Sequence, residues 1–375
     1  MTRVAAAKPR SLTRGALRPQ DARLSNLRLL TTSLYDNPGL SRADLARLTG
    51  LSRVAISDLI AELLESGLIV ETGAADQGKP GKRATKLQVA YDWRDIVAID
   101  VSGPRSVTGA IFSLDGEICQ RIERPLAGKR GPAALQVVID TVRALVELAL
   151  RPVLGIGIGA PGLVGPTPGV ITSTNLDWHQ VEVGAVVSEV VGLPVEVQND
   201  ANLAALAERR FGGAPDDFIR MQISRGVGAG LMIGGQLVNG RNGSAGEIGH
   251  VVVDRSGGQC SCGKVGCLET WISLPALTAR LADADDPELV LAQAGEKLGQ
   301  ALSFVVAMTD IPHIVLGGSP EFLAGSFEAA AERRLNAAIR IESKAPASLS
   351  LSNLGPEAVL LGAAVQVMNR NLGIR

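Results

Sequence analysis

Three of the four cysteines and one of the three histidines lie close together in one glycine-rich stretch, residues 243–269. They are His250, Cys260, Cys262 and Cys267. One imidazole and three thiolates form a ligand set that closes a tetrahedral zinc site and leaves no position for water. The spacing therefore predicts a structural Zn²⁺ that holds the loop in one conformation. Three buried cysteines beside a core histidine are the alternative interpretation.

Further polar side chains that can bind a small polar ligand are spread along the chain. Glu247 and Glu269 flank the cysteine cluster, and Asn175 lies in the stretch STNLDW. Asn199 and Asp200 lie where a predicted strand, VEVQN, meets a helix. Taken alone, an asparagine in a loop is more typical of a turn, and an Asn-Asp pair is typical of a helix start. The residue types by themselves leave the role of these five side chains open.

The composition indicates several domains with an uneven charge. A length of 375 residues predicts two or three domains, and 46% hydrophobic residues suffice for sizeable cores. The net charge of -1 combines residues 1–90, which have 14 basic and 8 acidic side chains, with a remainder that has 23 and 30. A basic head on an acidic body predicts an anionic partner for the head only.

The sequence predicts neither a membrane span nor a signal peptide. No apolar run approaches the roughly 20 residues that cross a bilayer, and the N-terminus has no apolar signal core. We therefore expect a cytoplasmic protein without a membrane partner. The clustered cysteines fit a reducing compartment, in which Cys119 is expected to be a buried thiol.

The basic head has the pattern of a winged helix-turn-helix domain over residues 21–90. The preceding residues 1–20 are rich in Arg, Ala and Pro and are predicted to form a disordered basic arm. Leucines recur at helical spacing from residue 24 onwards, and Ser41 and Ser52 are suited to cap a second and a third helix. A glycine separates these helices, and two predicted strands joined by GKPGKR follow.

This head is expected to bind double-stranded DNA. Its third helix would enter the major groove, and the basic residues between the two strands would reach phosphates or the minor groove. The predicted DNA contacts are Ser52, Arg53, Ser57, Lys79, Lys82 and Arg83. A protein-docking module is the alternative for a three-helix unit with a basic hairpin.

In the rest of the chain, predicted strands alternate with helices, as an α/β architecture requires. Two segments of this body, AGEIGH at residues 245–250 and CSCGKVGCLE at residues 260–269, resemble the ROK family. That family is named for repressors, open reading frames and kinases. The head sequence is also similar to the DNA-binding heads of ROK repressors, so the resemblance covers about residues 21–372.

The resemblance implies a fold for the whole chain. It is an α/β fold in which the winged helix-turn-helix precedes a two-lobed, actin-like (ribonuclease H-like) sugar-kinase body. The first implied lobe comprises residues 91–200 and is completed by a C-terminal helix over residues 356–372. The second comprises residues 201–355 and carries the zinc loop.

The resemblance also assigns roles to the polar residues of the body. It implies that His250 ligates zinc while the surrounding loop contributes to a sugar site, with Trp178 as a nearby wall. The implied sugar-binding residues are Asn175, Asn199, Asp200, Glu247, His250 and Glu269. In active family members, the aspartate at the position of Asp200 is the general base that takes the proton from the attacking sugar hydroxyl. Because that carboxylate also binds the hydroxyl, a regulator can retain it without catalysis.

Both phosphate loops depart from the pattern of active kinases. The first, typically Asp-x-Gly-Gly-Thr, is here DVSGPR from Asp100, with Ser102 and Pro104 in place of a small glycine and the threonine. Proline removes both a hydroxyl and a backbone N–H donor. The second loop, MQISRGVGAG, has Ser224 and Arg225 where kinases have a glycine and a phosphate-contacting threonine. The sequence therefore predicts a protein that is not an enzyme, with Asp200 as a vestigial base.

An arginine accompanies each of these changes, Arg105 in the first loop and Arg225 in the second. Guanidinium groups suit phosphate well, so the two side chains could bind the phosphate of a phosphorylated effector. An ion pair that bridges the lobes is the alternative.

Together these features predict a sugar-responsive transcriptional regulator, most simply a repressor of carbohydrate-metabolism genes. Its expected partners are an operator in double-stranded DNA and a sugar or sugar phosphate, and the resemblance implies a homodimer or homotetramer that suits a palindromic operator. An ATP-dependent sugar kinase with a DNA-binding head is the competing hypothesis. A regulator that responds to a partner protein is a third.

Overall fold

The computed structural model describes residues 19–74, 85–103, 105–165, 169–340 and 345–375. The predicted DNA contacts Lys79, Lys82 and Arg83 lie outside these ranges, as do Pro104 and residues 1–18 of the predicted arm. The chain divides into two compact units. The head unit ends at Ala90 and also contains Leu372–Ile374, and the body unit consists of Tyr91–Asn371 with Arg375.

The head consists of three helices and a small antiparallel sheet. The helices are α1 (Pro19–Asp36), α2 (Arg42–Thr49) and α3 (Arg53–Glu65), and the strands are β1 (Leu40–Ser41), β2 (Ile69–Ala74) and β3 (Thr85–Val89). The strand order is β1-β3-β2. This arrangement is the predicted winged helix-turn-helix.

Local capping interactions explain where α2 and α3 begin. The Ser41 hydroxyl accepts from the Asp44 N–H, and the Asp44 carboxylate accepts from the Ser41 N–H at 2.9 Å, which forms a capping box. Gly50, with φ of 71°, ends α2 in the left-handed conformation. The Ser52 hydroxyl then accepts from the Ala55 N–H at 3.2 Å and caps α3.

Residues Leu372–Ile374, which follow the body in sequence, are part of the head unit. The Gly373 carbonyl accepts a hydrogen bond from the Thr32 hydroxyl in α1 at 3.0 Å, and Ile374 is fully buried. Gly373 has φ of 78°, and a Cβ there would lie 2.7 Å from Cβ of Arg28. The C-terminal helix was expected in the first lobe, but nothing in the sequence predicted that the residues after it attach to the head.

The body begins with a mixed five-stranded sheet of order β11-β7-β4-β5-β6, in which β7 is parallel to both β4 and β11. The elements of this first part of the body are β4 (Asp95–Asp100), β5 (Ser106–Phe112), β6 (Ile118–Pro125), α4 (Gly131–Leu148), β7 (Val153–Ala160), β8 (Leu163–Val164), β9 (Val170–Ser173), β10 (Trp178–Glu182), α5 (Val183–Val191), β11 (Val195–Asn199) and α6 (Asp200–Ala207). Strands β8, β9 and β10 form a separate small antiparallel sheet of order β10-β9-β8. Helices α4 and α5 share one apolar core with the sheet.

A second five-stranded sheet has the order β14-β13-β12-β15-β16. The elements of this part are β12 (Phe218–Ile223), β13 (Val227–Ile233), β14 (Gln236–Leu237), α7 (Glu269–Ile272), α8 (Leu274–Ala282), α9 (Pro287–Thr309), β15 (His313–Gly317), α10 (Pro320–Leu323), α11 (Ser326–Ile339), β16 (Ser348–Leu351) and α12 (Ala358–Leu372). Helices α7, α9 and α11 contribute to a core that covers this sheet. Two sheets, each with its own helices, give the two-lobed α/β body that the resemblance implied.

Helix α12 returns to the first sheet, where small residues allow very close packing. A Cβ on Gly157 of β7 would overlap the Ala363 carbonyl, and a Cβ on Gly362 would overlap the Leu203 carbonyl in α6. The absence of a side chain at these two glycines therefore lets the helix approach the first sheet and α6 closely.

Cys119 corrects one expectation, because its thiol is exposed and not buried. It lies in β6, which pairs only with β5 at the edge of the first sheet, and the side chains of this strand are largely exposed. An edge strand with mostly polar residues on both faces has no core side.

Among the described residues, no helix is long and apolar enough to cross a membrane.

Candidate functional site

A cavity of about 400 Å³ in the body gathers residues from both sheets. It is bordered by the carboxyl ends of β9 and β11, the start of α6, the turn after β12 and the loop of residues 247–261. All six residues that the resemblance assigned to sugar binding line it: Asn175, Asn199, Asp200, Glu247, His250 and Glu269. Because these residues span almost a hundred positions of sequence, their convergence is produced by the fold.

Asn199 and Asp200 are positioned by the junction between β11 and α6. Asn199 is the N-cap, whose Oδ1 accepts from the Asn202 N–H at 3.1 Å and whose Nδ2 donates to the Gly162 carbonyl at 3.0 Å. Helix capping is therefore one role of Asn199, and its amide also fixes the turn after β7. Asp200, the first helical residue, borders the cavity, and its Oδ1 accepts from the Ala201 N–H at 2.9 Å.

The cavity is acidic, and the carboxyl groups influence each other's protonation. Burial, reinforced by the negative charges of Asp100 and Glu247, raises the pKa of Asp200 to about 7. Burial likewise raises the pKa of Asp100 and of Glu247. Near neutral pH the Asp200 carboxyl can therefore either accept a hydrogen bond from a ligand hydroxyl or donate one to it.

The four predicted metal ligands form one cluster, with ligand atoms that all lie within 4.8 Å of one another. Sγ of Cys260 lies 3.6 Å from Nδ1 of His250, and Sγ of Cys262 lies 3.6 Å from Sγ of Cys267. The sulfur separation is far longer than the roughly 2.05 Å of a disulfide. It is close to the roughly 3.8 Å that two sulfurs 2.3 Å from one tetrahedral ion would show. This group can hold a metal ion.

Backbone contacts shape the loop that carries these ligands. The Cys260 N–H donates to the Lys264 carbonyl, and the Val253 N–H donates to the Gly266 carbonyl at 2.9 Å. Gly266 has φ of 76°, and a Cβ there would overlap the Asp254 carbonyl. Only glycine fits at this crossing of the loop with itself.

The cluster of His250 and the three cysteines shares residues with the cavity. His250 and Cys260 line the cavity as well as the cluster, and Glu247 Oε2 lies 3.8 Å from His250 Nε2. Glu269 follows Cys267 by two residues, and its Oε2 accepts from the Val227 N–H at 3.1 Å. A metal ion in the cluster would therefore hold the segment that presents Glu247 and Glu269.

Trp178 corrects a second expectation, because it is fully buried and does not line the cavity. It belongs to the core of the first sheet, where Nε1 donates to the Gly131 carbonyl at 3.0 Å. The buried carbonyl satisfies the indole N–H, so the side chain needs no contact with solvent or ligand.

Gln222 is a cavity residue that the sequence analysis missed. Its Oε1 is buried and has no hydrogen-bond partner among the described residues. The strand FIRMQI also contains Arg220, but that guanidinium donates to the Glu208 carboxylate at 3.1 Å. A polar side chain in an otherwise apolar strand was the available signal, because a buried amide oxygen requires a donor.

The residues of the altered phosphate loops are only partly brought together. Ser102, Ser224 and Arg225 line the cavity, whereas Arg105 does not. Asp100 Oδ1 accepts from both the N–H and the hydroxyl of Ser102, at 2.8 and 2.6 Å. Within the described part of the chain, neither arginine forms an ion pair.

In the head, the described DNA-contact candidates lie at the exposed start of α3. Ser52 is the N-cap, and the Ser57 hydroxyl donates to the Arg53 carbonyl at 2.9 Å. Both hydroxyls thus contribute to the helix itself. Arg53 is exposed.

Residues 96–370 match the model of the ROK family, and residues 32–79 match that of the MarR family. The chain is 28% identical to the xylose repressor of Caldicellulosiruptor bescii over 92% of its length and 95% of that protein. It is 31% identical to the xylose repressor of Bacillus subtilis (strain 168) over 68% of its length and 67% of that protein. A crystal structure of a ROK family transcriptional regulator, described as a homologue of the E. coli MLC protein, superposes with a TM-score of 0.78 at 25% identity. That superposition covers 94% of this chain and 96% of the other. The cavity with its cysteine cluster therefore lies in a segment whose sequence matches one family from end to end, and the chain belongs to the ROK family.

Proposed function

We propose that this chain is a sugar-responsive DNA-binding transcriptional regulator that represses genes of carbohydrate metabolism. The observation that carries the proposal is the convergence of six polar side chains on one cavity in a chain that also has a winged-helix head. The two relatives named xylose repressors support repression as the direction of control.

The cavity suits a ligand rich in hydroxyl groups. Asp200, Glu247 and Glu269 supply carboxylate acceptors, and the exposed Asn175 amide supplies both a donor and an acceptor. The buried Oε1 of Gln222 adds an acceptor that has no partner in the described structure. A sugar presents several donors in a fixed ring geometry and can satisfy such a set at once.

The cluster of His250, Cys260, Cys262 and Cys267 would hold Zn²⁺, because one imidazole, three sulfurs and their observed separations fit a tetrahedral site. With four protein ligands, the ion would supply structural cohesion to the loop and no Lewis-acid chemistry. That loop would then hold three of the residues proposed to meet the ligand, which are Glu247, His250 and Glu269.

Phosphoryl transfer is not part of the proposed function. Arg225 occupies the border of the cavity with a bulky charged side chain, and Ser224 stands beside it. Asp200 is the feature that favours a kinase, because a carboxyl with a pKa of about 7 can serve as a general base. The same group also binds a hydroxyl without any reaction, so we assign it to recognition.

Several finer points belong to the same proposal. The regulator would act in the cytoplasm, where operator DNA lies, as a homodimer or homotetramer on a palindromic site. The proposed DNA contacts are Ser52, Arg53, Ser57, Lys79, Lys82 and Arg83.

The proposal also includes the lobe boundaries. The first lobe comprises residues 91–200 and is completed by residues 356–372, and the second comprises residues 201–355. Of the two arginines, only Arg225 lines the cavity, so we propose that it would meet a phosphate if the effector carries one.

Calorimetric titration of the zinc-loaded chain with sugars, sugar phosphates and ATP-Mg²⁺ tests the proposal. We expect saturable heat from one sugar or sugar phosphate and none from ATP. Asp200→Asn should weaken that binding, whereas Asp285→Asn, the same change on an exposed loop, should not. Binding of ATP followed by formation of a phosphorylated sugar would make the kinase the leading hypothesis.

A further inference from the structure

The surface of α3 that faces away from the head core is centred on an apolar residue. The buried residues of the helix are Ile56, Leu59, Ile60 and Leu63. At about 100° per residue, the direction opposite to them passes between Val54 in the first turn and Glu65 at the last position, with Ala61 and Asp58 about 30° to either side. Val54 lies in the first turn and is 72% exposed, so it contributes little to the core. A β-branched residue is also a poor helix former at an exposed position, so helix stability does not explain it either.

The side chains around Val54 are short, and the hydroxyls are already engaged. Ser57 donates its proton to the Arg53 carbonyl, and Ser52 accepts from the Ala55 N–H as the helix cap. A helix face of short side chains can approach the floor of a major groove closely. The middle of the face, and not the serines at its border, is then nearest to the base edges.

The charge of this face also favours bases over phosphates. Asp58 is exposed one turn after Val54 and forms no ion pair with any residue that the structure describes. A carboxylate is repelled by the phosphate backbone, whereas it can accept a hydrogen bond from the exocyclic amine of cytosine in the major groove. The face that carries Val54 and Asp58 is therefore suited to the groove floor.

We infer that Val54 is a specificity-determining residue whose methyl groups contact the C5-methyl group of a thymine at a fixed position of each operator half-site. This inference rests on the proposed function. Thymine is the base that presents a methyl group in the major groove, and apolar side chains are the groups that recognise it. The contact defines one base of the operator from the protein side.

The test begins with selection of binding sequences by the full-length, zinc-loaded chain from a randomised duplex library. Each thymine of the selected site is then replaced by deoxyuridine, which lacks only the methyl group. We expect one position per half-site at which this change weakens binding by about fourfold, the effect of losing one buried methyl. Val54→Ala should bind the thymine and uracil duplexes equally at that position. Val190→Ala, the same change at an exposed position of α5, should keep the difference.

The outcomes separate the inference from the proposed function. If the chain selects a defined sequence but Val54→Ala retains the full effect of deoxyuridine at every position, the inference about Val54 is wrong. The proposed function as a DNA-binding regulator is then still supported. The same holds if no thymine responds in the unaltered chain. If no sequence is enriched by the unaltered chain, both are wrong. Thermal unfolding of Val54→Ala checks that its head is folded, which the exposure of this side chain leads us to expect.

Discussion

The buried carboxyl group of Asp200 has a proposed role in binding a ligand hydroxyl, and its burial also destabilises the folded chain when the group is charged. Its pKa is raised from 3.8 to about 7, chiefly by burial and then by the charge of Asp100. A carboxyl group whose pKa is higher in the folded state releases its proton more readily on unfolding, so folding is penalised as pH rises above about 4. The penalty is complete once pH exceeds about 7.

Asp200→Asn should therefore stabilise the body at alkaline pH, because the amide carries no charge to bury. We expect a gain of the order of 2 kcal/mol at pH 8, seen as a higher melting temperature, and almost no gain at pH 4. Asp285→Asn, on an exposed loop, should show no such pH dependence. An equal effect of Asp200→Asn at both pH values would show that the charge of Asp200 is not the cause.

At the scale of elements, the loop of residues 247–269 carries both the proposed zinc ligands and three residues that line the cavity, Glu247, His250 and Glu269. Cys262→Ser should remove a ligand, lower the bound zinc below one ion per chain and loosen Glu247 and Glu269. Effector affinity should then fall by about tenfold or more, as for altered metal surroundings in general. Cys119→Ser, which changes the exposed cysteine of β6, should alter neither quantity. Metal analysis and calorimetry measure both, and unchanged zinc in Cys262→Ser would contradict the assigned ligand set.

The C-terminal residues behave as an added element of the head. Ile374 is fully buried, and the Gly373 carbonyl accepts from Thr32 in α1. Ile374→Ala should lower the stability of the head by about 2 to 4 kcal/mol, as expected for a buried Ile→Ala change. Faster amide hydrogen exchange in α1 would report this loss. As a control, Ile118→Ala at a partly exposed site in β6 should leave amide exchange in α1 unchanged. If Ile374→Ala also left exchange in α1 unchanged, the C-terminal residues would not stabilise the head.

Features encoded by neighbouring residues could be predicted from the sequence, whereas features that depend on distant partners could not. The helix starts at Ser41 and Ser52 follow from side-chain capping within three residues, and the cysteine spacing places the cluster in one short loop. The resemblance assigned Trp178 to a wall, and its burial could not be anticipated because its partner, the Gly131 carbonyl, lies 47 positions away. Cys119 was expected to be buried because nothing local shows that β6 lies at a sheet edge.

The convergence of the six proposed sugar-binding residues could be predicted for a different reason. No local pattern brings Asn175 near Glu269, and only the family resemblance gathered the six residues that the structure places around one cavity. Gln222 was missed because the resemblance assigned no role to it. The attachment of Ile374 to the head likewise had no local signal, because a short apolar tail looks the same whether it is free or buried.

At the scale of the whole molecule, the chain joins a DNA-binding head to a ligand-binding body, so the account requires the two binding equilibria to be linked. If a sugar weakens operator binding by some factor, the operator must weaken sugar binding by the same factor. Such coupling factors are commonly about 5 to 150. A head and a body that bind their ligands independently would give a factor of one.

The central claim is tested most directly by operator affinity, measured by fluorescence anisotropy at fixed salt with and without a saturating concentration of the sugar identified by calorimetry. The account predicts at least about a fivefold weaker affinity for the operator in the presence of the sugar. Asp200→Asn should lose this response at the same sugar concentration while its operator affinity without sugar is unchanged. If the sugar did not change the operator affinity of the chain without substitutions, the account would be contradicted.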